Sequence, residues 1–158
     1  MPNPITPANT PYRGRFAPTP SGRLHLGSLL TALAGFLEAR SRAGVWLLRI
    51  DDLDPYRTRP GAASRMLSSL EALGLHWDET VRYQSRHAEL YRAGLEALQA
   101  RGLLYACACS RRELGPGGVY PGVCRDLDLS FQPGRHAWRL RTGDSVIRFE
   151  DRVRGPVE

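Results

Sequence analysis

The chain contains no lysine: all 22 of its basic side chains, in 158 residues, are arginine. Within this segment that excludes any mechanism needing a lysine amine, whether as nucleophile or as a mobile charge over phosphate. Guanidinium supplies the positive charge instead, and its planar fork suits bidentate contacts to carboxylate and phosphate. A GC-rich coding bias accounts for the arginine excess without any function, and composition alone favours that account. Long hydrophobic runs are also missing. Nothing approaches the roughly 20 apolar residues of a membrane span, and the N-terminus lacks a signal-peptide pattern, so a cytoplasmic protein with no membrane partner is expected. Cysteine is scarce at three residues. That is too few for a disulfide scaffold, and a reducing compartment disfavours a disulfide. Internal repeats are absent.

What is present supports a folded domain, or one domain and a small part of another. Hydrophobic residues make up 42% of the chain, enough for a core, and the net charge is +6. Such a balance suits polyanionic partners, although an ordinary basic protein explains it equally well.

Residues 1–11 carry four prolines and no periodic pattern, and are expected to form a disordered arm. Residues 12–17 read as a strand, broken by Pro18, Pro20 and Gly22. Residues 25–42 read as a helix with Leu26, Leu29, Leu30, Leu33, Phe36 and Leu37 on one apolar face, ended by Gly44. Val45–Ile50 reads as a parallel strand buried on both sides. The three form a β-α-β unit with a right-handed crossover. An acidic loop, Asp51-Asp52-Leu53-Asp54-Pro55, follows. A helix over about 61–73 places Met66, Leu67, Leu70 and Leu73 inward, with Gly74 as its stop. Ser85 is expected to cap a helix over about 86–101 that Gly102 closes. Residues 103–106 read as a third strand, and Ser110-Arg-Arg-Glu113 as a capping box.

After Gly115 glycine and proline dominate to Gly122. Residues 136–141 and 145–153 then alternate in polarity, which predicts an antiparallel hairpin with Gly143 in its turn. The change of texture places a domain boundary near residue 104, giving domains over 12–103 and 104–158.

The strand-to-helix junction is the most informative stretch. His25, Gly27 and Ser28 fall in the first turn of a helix that follows a strand. There, free backbone N–H groups and the positive end of the helix dipole bind phosphate. Gly27 permits close approach of a ligand to the backbone, and His25 adds a hydrogen bond or a charge. Arg15 lies at the end of the first strand, and Asp51 and Asp52 at the end of the second, where open α/β sheets bind ligands. An arginine for a carboxylate and an aspartate for an ammonium together describe an amino acid; a structural ion pair describes the same residues. Further along, Cys107, Cys109 and Cys124 supply three sulfur ligands for a zinc ion, which wants four. Tyr120 and His136 are both candidates for the fourth, and buried free cysteines are the alternative. His76-Trp77-Asp78 and His87 have no nucleophile beside them and read as structural.

Two segments carry a family resemblance. Arg15-Phe-Ala-Pro-Thr-Pro-Ser-Gly22 with Leu24-His-Leu-Gly-Ser28 resembles the signature of class I glutamyl-tRNA synthetases. Leu48-Arg-Ile-Asp-Asp-Leu-Asp-Pro55 resembles their second signature, with Asp51 standing one methylene shorter where the family has Glu. With Pro60-Gly-Ala62, Gly74-Leu-His-Trp-Asp78, Gln84-Ser85 and the cysteine–tyrosine cluster, residues 13–156 are similar to the truncated paralogues, the glutamyl-queuosine tRNA(Asp) synthetases.

The resemblance implies an α/β fold: the first half of a Rossmann-type nucleotide-binding domain, then the start of a zinc-containing α+β inserted domain. It implies ATP-dependent activation of glutamate, with Mg2+, and glutamyl transfer to queuosine in the anticodon of tRNA(Asp). It assigns Arg15, Phe16, Ala17, Pro18, Thr19 and Asp51 to glutamate. His25, Gly27 and Ser28 go to ATP and catalysis, and Cys107, Cys109, Tyr120 and Cys124 to one structural zinc. A monomer is expected. In the family the second half of the fold and a lysine-containing loop come later in the chain, so these residues are expected to be part of a longer protein or a truncated gene product. An ordinary glutamate-tRNA ligase, or a non-catalytic zinc-stabilised tRNA-binding fragment, are the competing readings.

Overall fold

The computed structural model describes residues 11–113, 119–143 and 146–158. All but the last residue of the expected N-terminal arm lies outside them, as do residues 114–118 at the start of the glycine-rich stretch. The chain divides into two compact units, Met1–Glu89 and Leu90–Glu158. The composition-based boundary at 104 lies further along.

In the first unit, β1 (Arg13–Phe16), α1 (Leu26–Ser41) and β2 (Val45–Ile50) form the expected unit. β1 and β2 are parallel, with Gly14 opposite Trp46 and Phe16 opposite Leu48. The short β3 (Arg82–Tyr83) adds to the other edge of β2, again parallel. Sequence reading overlooked it because two residues carry no period. Between them lies α2 (Ala62–Ala72), followed by Gly74 at φ +72°. The core joins Phe16, Ala32, Ala39, Trp46, Leu48, Leu70 and Leu75.

Trp46 organises this core. Its ring is fully buried, 6.3 Å from Phe16 and 5.4 Å from Phe36 between ring centroids. The space around it is made by missing side chains. A Cβ on Gly35 would come within 3.3 Å of the indole nitrogen, and one on Gly14 within 3.5 Å of the ring. The buried indole N–H has no partner among the described residues, which costs about 1–3 kcal/mol. Burying about 150–250 Å² of aromatic surface at about 25 cal/mol/Å² outweighs that cost.

This corrects the expected apolar face of α1. The buried residues are Ala32 and Ala39, while Leu26, Leu30, Leu33 and Leu37 are 42–73% exposed. The sheet supplies the bulk, so the helix must present its small residues to it. Periodicity registers leucines and cannot rank them below alanine and glycine. β2 is likewise not buried on both sides: Trp46, Leu48 and Ile50 are buried, but Val45, Leu47 and Arg49 are only half-buried. α1 and α2 contribute to one core with the Trp46 side of the sheet. Leu73, expected inward, is 58% exposed at the end of α2.

The turn out of α1 is tight. Ala43, not glycine, takes the left-handed conformation at φ 47°. Gly44 is required for a different reason: a Cβ there would lie 2.4 Å from the Tyr12 carbonyl oxygen. Beyond α2, Asp78 closes the unit. Its Oδ2 accepts from Arg40 Nη1 at 2.6 Å and from the Trp46 N–H at 2.7 Å, while Arg40 Nη2 donates to the His76 carbonyl at 2.8 Å. Trp77 packs against the core. This segment is structural, as its sequence suggested.

A 3-10 turn (Gln84–His87) leads into α3 (Ala88–Ala100), followed by Gly102 at φ +65°. Ser85 does not cap α3 as expected; its N–H and Oγ–H donate to Asp52, at 2.9 and 2.7 Å. An acceptor aligned across the chain won over a local cap.

In the second unit, β4 (Leu104–Cys107) pairs antiparallel with β5 (Ala137–Leu140), and β6 (Phe149–Asp151) with β7 (Gly155–Val157). The predicted hairpin joining 136–141 to 145–153 therefore does not form. The buried strand β4 takes β5 as its partner, and β6 finds one across a three-residue turn. There Asp151 Oδ1 accepts from the Val153 and Arg154 N–H groups at 2.9 and 2.8 Å, and Gly155 sits at φ +80°. Alternation marks a strand but does not name its partner. Half of the capping box forms: Glu113 accepts the Ser110 N–H at 2.7 Å beside the 3-10 turn Arg111–Glu113, while the Glu113 N–H donates to the Ser110 carbonyl at 3.1 Å.

Asp78 is the testable joint. The hydrogen bond from Arg40, then that from the Trp46 N–H, hold its carboxyl below the ordinary 3.8. A depressed folded pKa stabilises above the unfolded value and loses that stabilisation as pH falls through the folded one. Asp78→Ala is therefore expected to cost about 1–2 kcal/mol at neutral pH. In urea titrations the gap between variant and wild type should stay constant down to about pH 4 and close below it.

Candidate functional site

α1 begins on an unusual cap. His25, at φ −90° and ψ 168°, precedes the helix, and its Nδ1 accepts the Ser28 N–H at 3.2 Å. Serine, threonine, aspartate and asparagine normally fill this role. Because Nδ1 accepts, the neutral ring carries its proton on Nε2, which lies 3.1 Å from Ser28 Oγ and donates to it. Gly27 makes the arrangement possible: a Cβ there would come within 3.2 Å of two atoms of the imidazole. Thr31 Oγ1 donates to the Gly27 carbonyl at 2.9 Å, fastening the same turn.

These residues border a cavity of about 340 Å³. Of the residues singled out in the sequence, Phe16, Ala17, Pro18, Thr19, His25, Gly27 and Ser28 line it. Arg23 and Arg57 line it too, and were not singled out. The signal for Arg57 was available. Asp54 sits three residues before it and folds the loop back, its Oδ1 accepting from the Tyr56 and Arg57 N–H groups at 3.0 and 3.3 Å. The cavity combines a helix N-terminus, an imidazole and two guanidinium groups, which together suit an anionic, phosphate-bearing ligand.

Arg15 and Asp51 do not line this cavity. Arg15 is exposed and alternates with the buried Phe16 along β1, so it lies on the other face of the sheet. Its guanidinium has no hydrogen-bond or ion-pair partner among the described residues. Asp51 is tied to the loop by its N–H, which donates to the Pro18 carbonyl at 3.0 Å. Its carboxylate takes a two-pronged ion pair from Arg49, at 2.6 and 3.0 Å. The structural ion pair weighed for this residue is thus present. Each carboxylate offers about four lone-pair positions, so acceptor capacity remains. At Asp52 burial pushes the carboxyl up, but the hydrogen bonds from Ser85 outweigh it and hold it below 3.8.

In the second unit the Sγ atoms of Cys107, Cys109 and Cys124 all lie within 4.8 Å of one another. None is in a disulfide. The Tyr120 hydroxyl joins them, 3.5 Å from Cys107 Sγ and accepting the Cys124 N–H at 2.7 Å. His136 stands apart, with Nδ1 accepting the Gln132 N–H at 3.1 Å, so the structure groups Tyr120 with the thiols. Burial pushes the Cys107 thiol up, but hydrogen bonds from Tyr120 and Arg139 outweigh it and bring it down to about 6. Cys109 is pushed up to about 11, first by its hydrogen bond with Cys124 and then by burial and the neighbouring Cys107 charge. Tyr120 is raised by burial and by the same thiolate. A cluster that can release a thiolate beside two further sulfurs is suited to a soft or borderline metal ion.

A parallel strand–helix–strand unit with a histidine-capped helix beside an anion-suited cavity is a mixed α/β arrangement suited to binding a nucleotide. The family described as tRNA synthetases class I (E and Q), catalytic domain, matches residues 12–116, and the chain belongs to it. Among curated relatives, the glutamyl-Q tRNA(Asp) synthetase of Methylococcus capsulatus is 53% identical over 151 residues, covering 95% of this chain and 50% of that protein. The one from Chromobacterium violaceum is 52% identical over 155 residues, covering 94% and 52%. The chain thus spans about half the length of the curated relatives it matches. In structure it is similar to a glutamate tRNA ligase from Elizabethkingia meningosepticum, determined in complex with its amino acid. That likeness has a TM-score of 0.75 at 26% identity, over 94% of this chain and 36% of that one.

Capping and chemistry can be separated at His25. Removing a cap costs about 1 kcal/mol, and asparagine is among the best caps. His25→Ala should lower the unfolding free energy by about that amount in urea titrations, and His25→Asn should restore most of it.

Proposed function

We propose that the whole protein activates glutamate with ATP and transfers the glutamyl group to queuosine in tRNA(Asp). The observation that carries this is the match at about half identity, over nearly all of the chain, to relatives named for that activity, with Phe16, Ala17, Pro18, Thr19, His25, Gly27 and Ser28 of the first signature around one cavity. The α1 N-terminus and His25 would face the ATP phosphates, with ATP as its Mg2+ complex. Negative charge growing on the α-phosphate meets oriented N–H groups and an imidazole already fixed by Ser28, and electrostatic stabilisation of this kind needs no nucleophile. Arg23 and Arg57 supply cationic charge in a segment without lysine. Phe16, Ala17, Pro18 and Thr19 would shape the glutamate end. Arg15 would receive a substrate carboxylate and Asp51 the ammonium, through the acceptor positions that Arg49 leaves free.

ATP–pyrophosphate exchange in the whole protein should depend on glutamate, and no exchange would sink this reading. Labelled glutamate should appear on queuosine-bearing tRNA(Asp). Because the structural neighbours are glutamate tRNA ligases, tRNA(Glu) is the necessary comparison: charging of its 3′ end would decide for an ordinary ligase.

Cys107, Cys109, Cys124 and Tyr120 would hold one zinc ion, which supplies structure rather than chemistry. The donor set fits, since the three thiols already converge and one is poised to ionise. The remaining thiols must lose protons on binding, so uptake weakens as pH falls. Freshly purified protein should carry about one equivalent of zinc, as a closed structural site does, and Cys109→Ser should lose it. Metal analysis finding none in the wild type would refute the assignment.

A further inference from the structure

Beside the thiol cluster, the second unit has a cavity of about 360 Å³ lined by Tyr105, Tyr120, Arg125, Trp138, Arg139 and Thr142. Its distinctive feature is a pair of guanidinium groups with no carboxylate beside them; Arg139 reaches the Cys107 thiol, yet part of its donor capacity stays unmet. The Nε atoms of Arg125 and Arg139 are both buried, and neither has a hydrogen-bond partner among the described residues. A buried unmet donor is costly, and native structures hold few. Two around one cavity point to an acceptor that comes from outside the chain. No carboxylate lines the cavity; the nearby Asp126 pairs with Arg141. The guanidinium groups are also oriented. Arg139 lies 3.8 Å above the Tyr120 ring centroid and opposite Tyr105 in the β4–β5 ladder. A stacked guanidinium directs its N–H groups sideways, the geometry that engages phosphate oxygens.

We propose that this cavity is a phosphate subsite that takes a backbone phosphodiester of the RNA substrate, with Arg125 and Arg139 as donors. The aromatic walls suit the adjoining nucleoside, since arginine interleaved with aromatic faces is how proteins track single-stranded or splayed RNA. The subsite rests on the proposed action on tRNA. It is built wholly from second-unit residues, whereas the His25 cavity is built wholly from first-unit ones.

The test is binding of queuosine-bearing tRNA(Asp) to the whole protein across a salt series. Arg125→Gln should weaken binding about tenfold and lower the slope of log K against log[salt] by about 1, as loss of one phosphate contact does. Arg125→Lys should keep the slope. Wild-type affinity and slope in Arg125→Gln would overturn the proposal. A second measurement needs no variant: tRNA should protect Arg125 and Arg139 of the wild type from phenylglyoxal, read by peptide mass. Equal modification with and without tRNA overturns it, and so does equal protection by millimolar inorganic phosphate, which would assign the cavity to a free anion. Glutamate-dependent pyrophosphate exchange reports on the proposed function separately. Its absence would leave the arginine comparison to stand or fall on tRNA affinity alone.

Discussion

The buried indole of Trp46 is the constraint on which the first unit depends. A large flat ring under a helix forces the helix to approach with glycine and alanine, and Gly35, Ala32 and Ala39 meet that demand. The approach sets where α1 lies, and therefore where its N-terminus points. The backbone of Trp46 does as much as its ring. Its N–H donates to Asp78 and its carbonyl accepts the Asp78 N–H, so the loop after α2 is tied to the same residue. Core and candidate site are thus two ends of one helix.

The two units assemble their candidate sites by different physics. In the first, the working parts are a helix terminus and a cap, held by short-range hydrogen bonds between His25 and Ser28. Their order in sequence nearly suffices to place them, because residues within one helical turn have little freedom. In the second, four side chains converge from positions 107, 109, 120 and 124, and with Tyr105 and Leu129 they form the small core of that region. Chemistry and stability are shared there. Tyr120 shows it most directly, touching Cys107, receiving the Cys124 N–H and carrying Arg139 on its ring.

Much of this was legible from residue patterns. The strand, broken turn and helix around His25 needed only the Pro18, Pro20 and Gly22 interruptions, and the thiol cluster needed only its spacing. Three kinds of feature were not legible. The inward face of α1 was hidden because both of its faces are apolar and only the size of Trp46 chooses between them. The partner of β5 was hidden because alternation is identical whichever strand it joins. Asp51 read equally as free for substrate or held in an ion pair, and no pattern distinguishes those states; the Arg49–Asp51 pair is the one that forms.

The sequence by itself determined the local elements, the capped helix start, the convergence of cysteines and the family. Each depends on neighbours a few residues apart, or on motif identity, and both survive without knowledge of the fold. Tertiary structure alone decided which face of α1 is buried, which strands pair, and that Arg57 joins the His25 cavity. Those outcomes turn on volume and on long-range hydrogen-bond partners. They are settled only when the chain is packed.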